Sequence, residues 1–144
     1  MDVTDQHPQP APGHSPMIPI AQIDPAYDQL AESSIRATIT LVWPYSSFTK
    51  SFSCLLAEPD VRLRRSNGQV KATFHGLVAE RIAETHVGIG DEVVLGLGGC
   101  RLEKNGTATQ TPGRYVAWDI HFDDRVHLEV IYETRPCLIW IIAC

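Results

Sequence analysis

The sequence predicts an all-β domain with one short helix. Short segments that alternate polar and apolar residues, rich in β-branched side chains, recur along the chain and are typical of strands. A helical period appears once, between the third and the fourth of these segments. The length of 144 residues is that of a single domain, with 44% apolar and 20% charged residues. This composition excludes a wholly disordered chain, a fibre and a multi-span membrane protein.

Three strands are predicted before the helix. Residues 35–43 alternate small polar and apolar side chains, and residues 51–57 repeat that pattern until Pro59 ends it. A third strand covers residues 70–75, and the Asn67-Gly68 dipeptide before it is typical of a tight turn.

The helix and the remaining strands complete the pattern. Residues 76–85 change to a helical period, and Gly88 follows as a cap. A fourth strand is predicted at 93–97, and the last strand region covers 115–132, as two strands or as one bent strand with a break at 123–124. A helix between the third and fourth of five short strands is the order of an OB-fold, a small Greek-key barrel.

Both ends of the chain depart from this pattern. Residues 1–20 contain five prolines, which predicts a disordered, extended arm ahead of an OB-fold domain at 21–135. Within that domain, residues 24–32 predict a short helical turn capped by Asp24. The uncharged residues 136–144 form an apolar tail. We interpret the tail as a partner-docking segment or the product of a truncated reading frame, in preference to a sixth strand.

The charge is unevenly distributed. The net charge is −5, but residues 1–34 carry five acidic residues and no lysine or arginine. The rest of the chain is balanced, and residues 36–104 hold nine basic against seven acidic residues. The acidic balance therefore does not exclude a nucleic-acid partner.

No known catalytic motif is present, so we expect no enzymatic activity and no cofactor. The four cysteines show no CxxC spacing, and the sequence starts without a signal-peptide pattern, which predicts free thiols in a reducing compartment. His121 and His127 lie near Asp119, Asp123 and Asp124, but this spacing matches no common metal motif. We interpret these residues as a solvated strand face, with a metal-assisted enzyme around His121 and Asp123 as the weakest alternative.

A single-stranded nucleic-acid binder needs aromatic side chains for base stacking and a basic groove for phosphates. The predicted strands 1–3, and the chain beyond strand 4, supply such residues. The candidate contact residues are Trp43, Tyr45, Lys50, Arg62, Arg64, Arg65, Lys71, Phe74, His75, Arg101, Lys104 and Arg114.

Several of these candidates have a structural alternative. Trp43 fits the barrel core as well as a stacking platform, whereas Tyr45 is predicted in a polar loop, which favours a contact role. Alternation in the third strand directs Phe74 inward and leaves Lys71 and His75 as the outward contacts. The arginine-rich run at 62–65 fits a solvated connection or a phosphate contact.

Three segments carry a resemblance to a known family. The motifs WPYSS at 43–47, LLAEPD with RLRR at 55–65, and GIGDEVVL at 88–95 resemble the first OB-fold of the telomere end-binding proteins. This family includes the protection-of-telomeres and fungal telomere-capping proteins. The resemblance covers residues 19–133, about four-fifths of the chain.

The resemblance implies selective binding of single-stranded G-rich telomeric DNA, in the nucleus at the telomeric region of the chromosome, for telomere capping and maintenance. It implies a DNA-contacting aromatic residue at Phe74 and a contact lysine at Lys104. Glu103 stands where the family has a second aromatic residue.

An OB-fold that contacts proteins of a telomere complex, without binding DNA itself, is the alternative. The neutral domain, Glu103 and the apolar residues 139–142 favour it. A membrane partner is not expected, because the longest apolar run has eight residues and a spanning helix needs about 20.

Overall fold

The computed structural model describes residues 15–65, 67–105, 116–132 and 135–142, with side chains up to residue 131. Over these ranges the chain is mostly β-sheet with one short α-helix between the third and fourth strands, which confirms the predicted class. The elements are β1 (Ser34–Ser46), β2 (Ser51–Ala57), β3 (Gln69–His75), α1 (Leu77–Glu84), β4 (Glu92–Gly96), β5 (Arg101–Lys104), β6 (Trp118–Phe122), β7 (Arg125–Tyr132) and β8 (Arg135–Ile142).

The strands form one sheet in the order β5-β6-β3-β2-β1-β4-β7-β8. Neighbouring strands are antiparallel, except that β3 and β6 are parallel. Within the described residues the sheet begins at β5 and ends at β8, so these pairings do not close a barrel.

Over the described residues the strand count is eight rather than the predicted five. The fourth predicted strand corresponds to β4, and β5 is an additional strand that follows it after Gly99, whose φ of +79° interrupts the extended chain. The last strand region divides into β6 and β7 at the predicted break, residues 123–124. Both halves stay paired, β4 with β7 and β5 with β6, so the two chain segments bend together.

The apolar tail forms a strand, the interpretation that the sequence analysis favoured least. Residues 135–142 form β8, which pairs with β7 along its whole length, from Tyr132↔Arg135 to Arg125↔Ile142. An apolar run rich in isoleucine is a good strand former, and the edge of β7 offers it unpaired backbone groups.

The predicted boundary of the amino-terminal arm also differs. Residues 1–14 lie outside the described residues, but Ile18 and Ile20 are buried in the core. The backbone N–H of Ile20 donates a 2.7 Å hydrogen bond to the Glu58 carboxylate. The segment before residue 21 is therefore part of the packed domain.

The helical turn predicted at 24–32 is present in a shorter form. The Asp24 carboxylate accepts a 2.8 Å hydrogen bond from the backbone of Ala26, as a cap does. The 3-10 turn Leu30–Glu32 lies in the predicted range, and a second 3-10 turn, Ile20–Gln22, precedes it.

The core lies on one face of the sheet. Phe74 of β3 stacks on Phe122 of β6 with ring centroids 5.3 Å apart, and Phe52 of β2 packs 6.4 Å from Phe74. Helix α1 adds Val78 and Ile82, both fully buried. Burying side chains of this size stabilises the fold by about 1.5–3 kcal/mol each. The opposite face of β1, β2, β3, β6 and β5 is left for other contacts.

No helix in the described ranges has the length and apolar character needed to cross a membrane.

Candidate functional site

A row of side chains crosses five strands on the face opposite the phenylalanine core. The register places Trp43 of β1 opposite Ser53 of β2, and Ser53 opposite Thr73 of β3. Thr73 is in turn opposite His121 of β6, and His121 opposite Arg101 of β5. Paired residues of neighbouring strands project from the same face of a sheet.

A second row runs beside the first. Lys71 of β3 pairs with Asp119 of β6, and Asp119 with Glu103 of β5. His75 of β3 adds a further outward side chain, because it follows Thr73 by two residues. We call this surface the polar face and define it by Trp43, Ser53, Lys71, Thr73, His75, Arg101, Glu103, Asp119 and His121.

One end of the polar face combines an aromatic ring with a cation. The Trp43 side chain is 41% exposed, and the Lys71 ammonium lies 4.6 Å from the centre of its ring. Such a cation–π contact contributes about 0.5–1 kcal/mol at an exposed site. Between the two ends, the Ser53 and Thr73 hydroxyls share a 3.0 Å hydrogen bond. The Trp43 end of the polar face therefore offers a base-sized π-surface next to the positive charge of Lys71.

The other end contains two histidines and two carboxylates. His75 Nε2 and His121 Nδ1 are hydrogen-bonded at 2.9 Å, and the two rings stack with centroids 5.1 Å apart. His121 Nε2 lies 3.3 Å from Glu103 Oε1. Burial, and then repulsion from His121, lower the pKa of His75, while burial raises the pKa of Asp119. Burial therefore favours the neutral forms of His75 and Asp119.

Arg101 is held at the rim of the polar face. Its guanidinium forms a two-pronged contact with the Asp123 carboxylate, at 3.2 and 3.3 Å. The hydrogen bond from Arg101 lowers the pKa of Asp123. Because both side chains are about half exposed, solvent screens the pair.

Two predicted aromatic contacts are placed differently by the structure. Phe74 is 2% exposed and lies in the core, as the alternation of β3 indicated, so it presents no ring face at the surface. Tyr45 belongs to β1 rather than to a loop and packs against the core, because β1 continues through Pro44 to Ser46.

The turn between β1 and β2 is exposed. Lys50 occupies it with a φ of +53°, and Phe48 at the same turn is 95% exposed. These two side chains are free to contact a ligand beside the polar face.

The arginines before β3 serve the connection itself. Arg62 is paired with Asp60 at 3.0 Å, and Arg64 Nε donates a 2.7 Å hydrogen bond to the carbonyl of Glu58. Arg65 is exposed. Of the two interpretations of this run, the structural one accounts for Arg62 and Arg64.

The remaining candidates lie beyond β4. Lys104 is exposed on β5, whereas Arg114 lies outside the described residues. Sequence reasoning treated Asp119 and His121 as a solvated strand face and did not include Glu103. The sequence feature that marks Asp119 and His121 as outward-facing neighbours is the alternation of polar residues 119, 121 and 123 with apolar residues. Only β5, which was not predicted, brings Glu103 beside them.

The profile of one family, described as a domain of unknown function (DUF8502), matches residues 14–137. No curated protein and no solved structure matches the chain. Since the profile spans most of its length, the chain belongs to the DUF8502 family.

Proposed function

We propose that this chain is an OB-fold module that binds single-stranded G-rich telomeric DNA on the polar face and contributes to telomere capping in the nucleus. The observation that carries the proposal is the exposed Trp43 with Lys71 beside it, at one end of a row of paired side chains that crosses five strands. The resemblance of residues 43–65 to telomere end-binding proteins supplies the choice of DNA.

The strand pairings support an OB-fold. β1 pairs with both β2 and β4, and β3 runs parallel to β6, with α1 between β3 and β4. Taken as one bent strand each, β4–β5 and β6–β7 reduce the first seven strands to five in OB order. The polar face then lies over the second and third strands, where OB-folds bind oligonucleotides.

The chemistry of the face suits single-stranded DNA. Stacking of one base on an aromatic side chain contributes about 1–3 kcal/mol, and Trp43 has the exposed ring for it. Lys71 and Arg101, with Lys104 near them on β5, supply charges for phosphates. Glu103 accepts hydrogen bonds, and the Watson–Crick edge of an unpaired guanine offers N–H donors to such an acceptor. A carboxylate on the face therefore favours guanine over bases with fewer donors.

A protein-contact module of a telomere complex is the second candidate. Glu103, Asp119 and Asp123 place three carboxylates at one end of the surface, which opposes phosphate binding there. The two candidates differ in salt dependence, since DNA binding releases the counterions of the phosphate backbone and weakens steeply as salt rises, whereas an apolar protein interface is nearly insensitive to salt.

A fluorescence-anisotropy titration tests the proposal. The full chain is titrated against a single strand of G-rich telomeric repeats, with a scrambled strand and the duplex as controls, at two salt concentrations. We expect binding selective for the telomeric strand that weakens as salt rises. Equal binding to all three, or none, contradicts the proposal.

A matched pair of variants locates the binding surface. Trp43→Ala is expected to weaken binding by about 1–3 kcal/mol, roughly 5- to 150-fold, through loss of stacking. Leu77→Ala removes a side chain of similar exposure, 42% against 41%, from α1. It is expected to leave affinity unchanged, and equal effects of the two variants would remove the polar face from the proposal.

A further inference from the structure

Three metal-ligating side chains converge at the β5–β6 end of the polar face. Glu103, Asp119 and His121 each place one ligand atom so that the three atoms lie within 4.8 Å of one another. Glu103 and Asp119 are direct cross-strand partners, and His121 follows Asp119 by two residues on the same face. The set contains one imidazole nitrogen and two carboxylate oxygens.

Two polar side-chain atoms of these residues are buried without a hydrogen-bond partner among the described residues. They are Asp119 Oδ1 and His121 Nε2. The 3.3 Å approach of His121 Nε2 to Glu103 Oε1 is close, but it lacks the alignment of a hydrogen bond. An unsatisfied buried polar atom is rare in folded proteins and calls for a specific reason.

The nearest cation does not satisfy Asp119. Lys71 is its cross-strand neighbour on β3, but the Lys71 ammonium lies over the Trp43 ring. The two carboxylates and the imidazole therefore face one another, and no lysine or arginine hydrogen bond reaches Asp119 Oδ1 from the described residues.

His75 completes the arrangement from the other side of the His121 ring. His75 Nε2 is 2.9 Å from His121 Nδ1. When His121 Nδ1–H donates to His75, His121 Nε2 presents its lone pair to the two carboxylates. Metal-binding histidines use this arrangement, with the second ring nitrogen held by a hydrogen bond.

We propose that Glu103, Asp119 and His121 bind a divalent first-row transition metal ion such as Zn²⁺, with His75 as a positioning residue. One nitrogen and two oxygen ligands suit Zn²⁺, which takes four ligands, so a fourth position remains for water or a ligand atom. The bound ion offsets the charge of the two carboxylates at this end of the polar face. The proposal stands on the ligand geometry and does not require that the chain bind DNA.

Isothermal titration of the full chain, stripped with EDTA, with ZnCl₂ provides the test. We expect one Zn²⁺ per chain at this site, and the absorption spectrum of the Co²⁺-substituted protein is expected to show nitrogen and oxygen ligation without thiolate bands. Mg²⁺ is expected to bind far more weakly, because it prefers an all-oxygen shell.

Ligand variants are compared with matched controls. His121→Ala and Asp119→Asn are expected to weaken Zn²⁺ binding at least tenfold. His86→Ala and Asp28→Asn change an exposed histidine and an exposed aspartate elsewhere and are expected to have no effect. Zn²⁺ binding that survives His121→Ala, binding of Mg²⁺ in place of Zn²⁺, thiolate bands in the Co²⁺ spectrum, or no binding at all would each overturn the proposal.

The positioning role of His75 has its own measurement. His75→Ala is expected to weaken Zn²⁺ binding by about 10- to 100-fold, the usual effect of losing such a partner. His75→Gln keeps an acceptor for His121 Nδ1–H and is expected to recover part of that affinity. If both variants bind Zn²⁺ like the unaltered chain, His75 has no positioning role, and if both melt at a lower temperature without metal, the role is structural.

Discussion

Two stacked ring pairs lie on opposite faces of the same two strands. Phe74 and Phe122 stack inside at 5.3 Å with an interplanar angle of 16°, and His75 and His121 stack outside at 5.1 Å and 17°. Their geometry is nearly the same, but their surroundings are not. The inner pair is enclosed by apolar side chains, whereas the outer pair faces carboxylates and an arginine. The alternation of side chains along β3 and β6 thus places a pair of apolar rings in the core and a pair of ionisable rings on the polar face.

The largest loss of stability is expected when the inner pair, Phe74 and Phe122, is disrupted. Phe74→Ala leaves a cavity beside Phe122 and is expected to lower the free energy of unfolding by about 3–5 kcal/mol. The measurement is urea unfolding followed by tryptophan fluorescence. The folded fraction of this variant is expected to bind telomeric single strand as the unaltered chain does.

The opposite result would contradict the assignment of a structural role to the inner ring pair. If Phe74→Ala keeps its stability and loses DNA binding, then Phe74 is a stacking platform, as the telomere resemblance implies, and the inner face is not purely structural.

A smaller effect is expected from the charges of the polar face. Lys71→Ala combined with Arg101→Ala is expected to reduce the slope of log affinity against log salt by about two, one for each phosphate contact. Anisotropy titrations at several salt concentrations measure this slope. Arg62→Ala with Arg65→Ala removes the same charge from the connection before β3 and serves as the control. A slope that changes only in the control pair would move the phosphate contacts to that connection.

The outer pair is expected to make stability depend on pH. The pKa of His75 lies below its ordinary 6.5 in the folded chain, so between these two values the unfolded chain binds the extra proton. Its stabilising contribution is complete above pH 6.5 and is lost as the pH falls toward the lowered value. We expect the urea concentration at the unfolding midpoint to decrease when the pH is lowered from about 7.5 to about 5.5.

A variant assigns this pH dependence to the outer pair. His75→Gln is expected to flatten the decrease, whereas His86→Ala, at an exposed site, is expected to leave it unchanged. An equal slope in the unaltered chain and in His75→Gln would show that other groups titrate in this range.

The sequence predicts those elements of the fold that are marked by a local pattern of polar and apolar residues. The bounds of β2, Ser51–Ala57, match the prediction, and Pro59 follows its end. The sequence does not predict β5, because four residues with three exposed side chains carry too little periodicity. The pairing of β8 with β7 likewise depends on the rest of the sheet.

The same distinction applies to the site. Lys71 and His75 were predicted as outward residues of β3, because alternation is a local property. Glu103 joins Asp119 and His121 only through the pairing of β5 with β6, which no pattern within either segment reports. The carboxylate and imidazole cluster therefore appears in the structure and not in the sequence.

The smallest effect is expected at the connection before β3, where one ion pair can be tested from both ends. Arg62 and Asp60 are paired at 3.0 Å on the surface, and water screens such pairs. Arg62→Ala is therefore expected to leave the urea midpoint and the DNA affinity unchanged. Asp60 has a second role, since its carboxylate accepts a 3.0 Å hydrogen bond from the backbone of Arg62 and caps the 3-10 turn Val61–Leu63. Asp60→Ala is expected to lower the midpoint, and Asp60→Asn, which keeps an acceptor for the cap, is expected to restore it. A loss of DNA affinity in Arg62→Ala at an unchanged midpoint would instead extend the binding surface from the polar face to this connection.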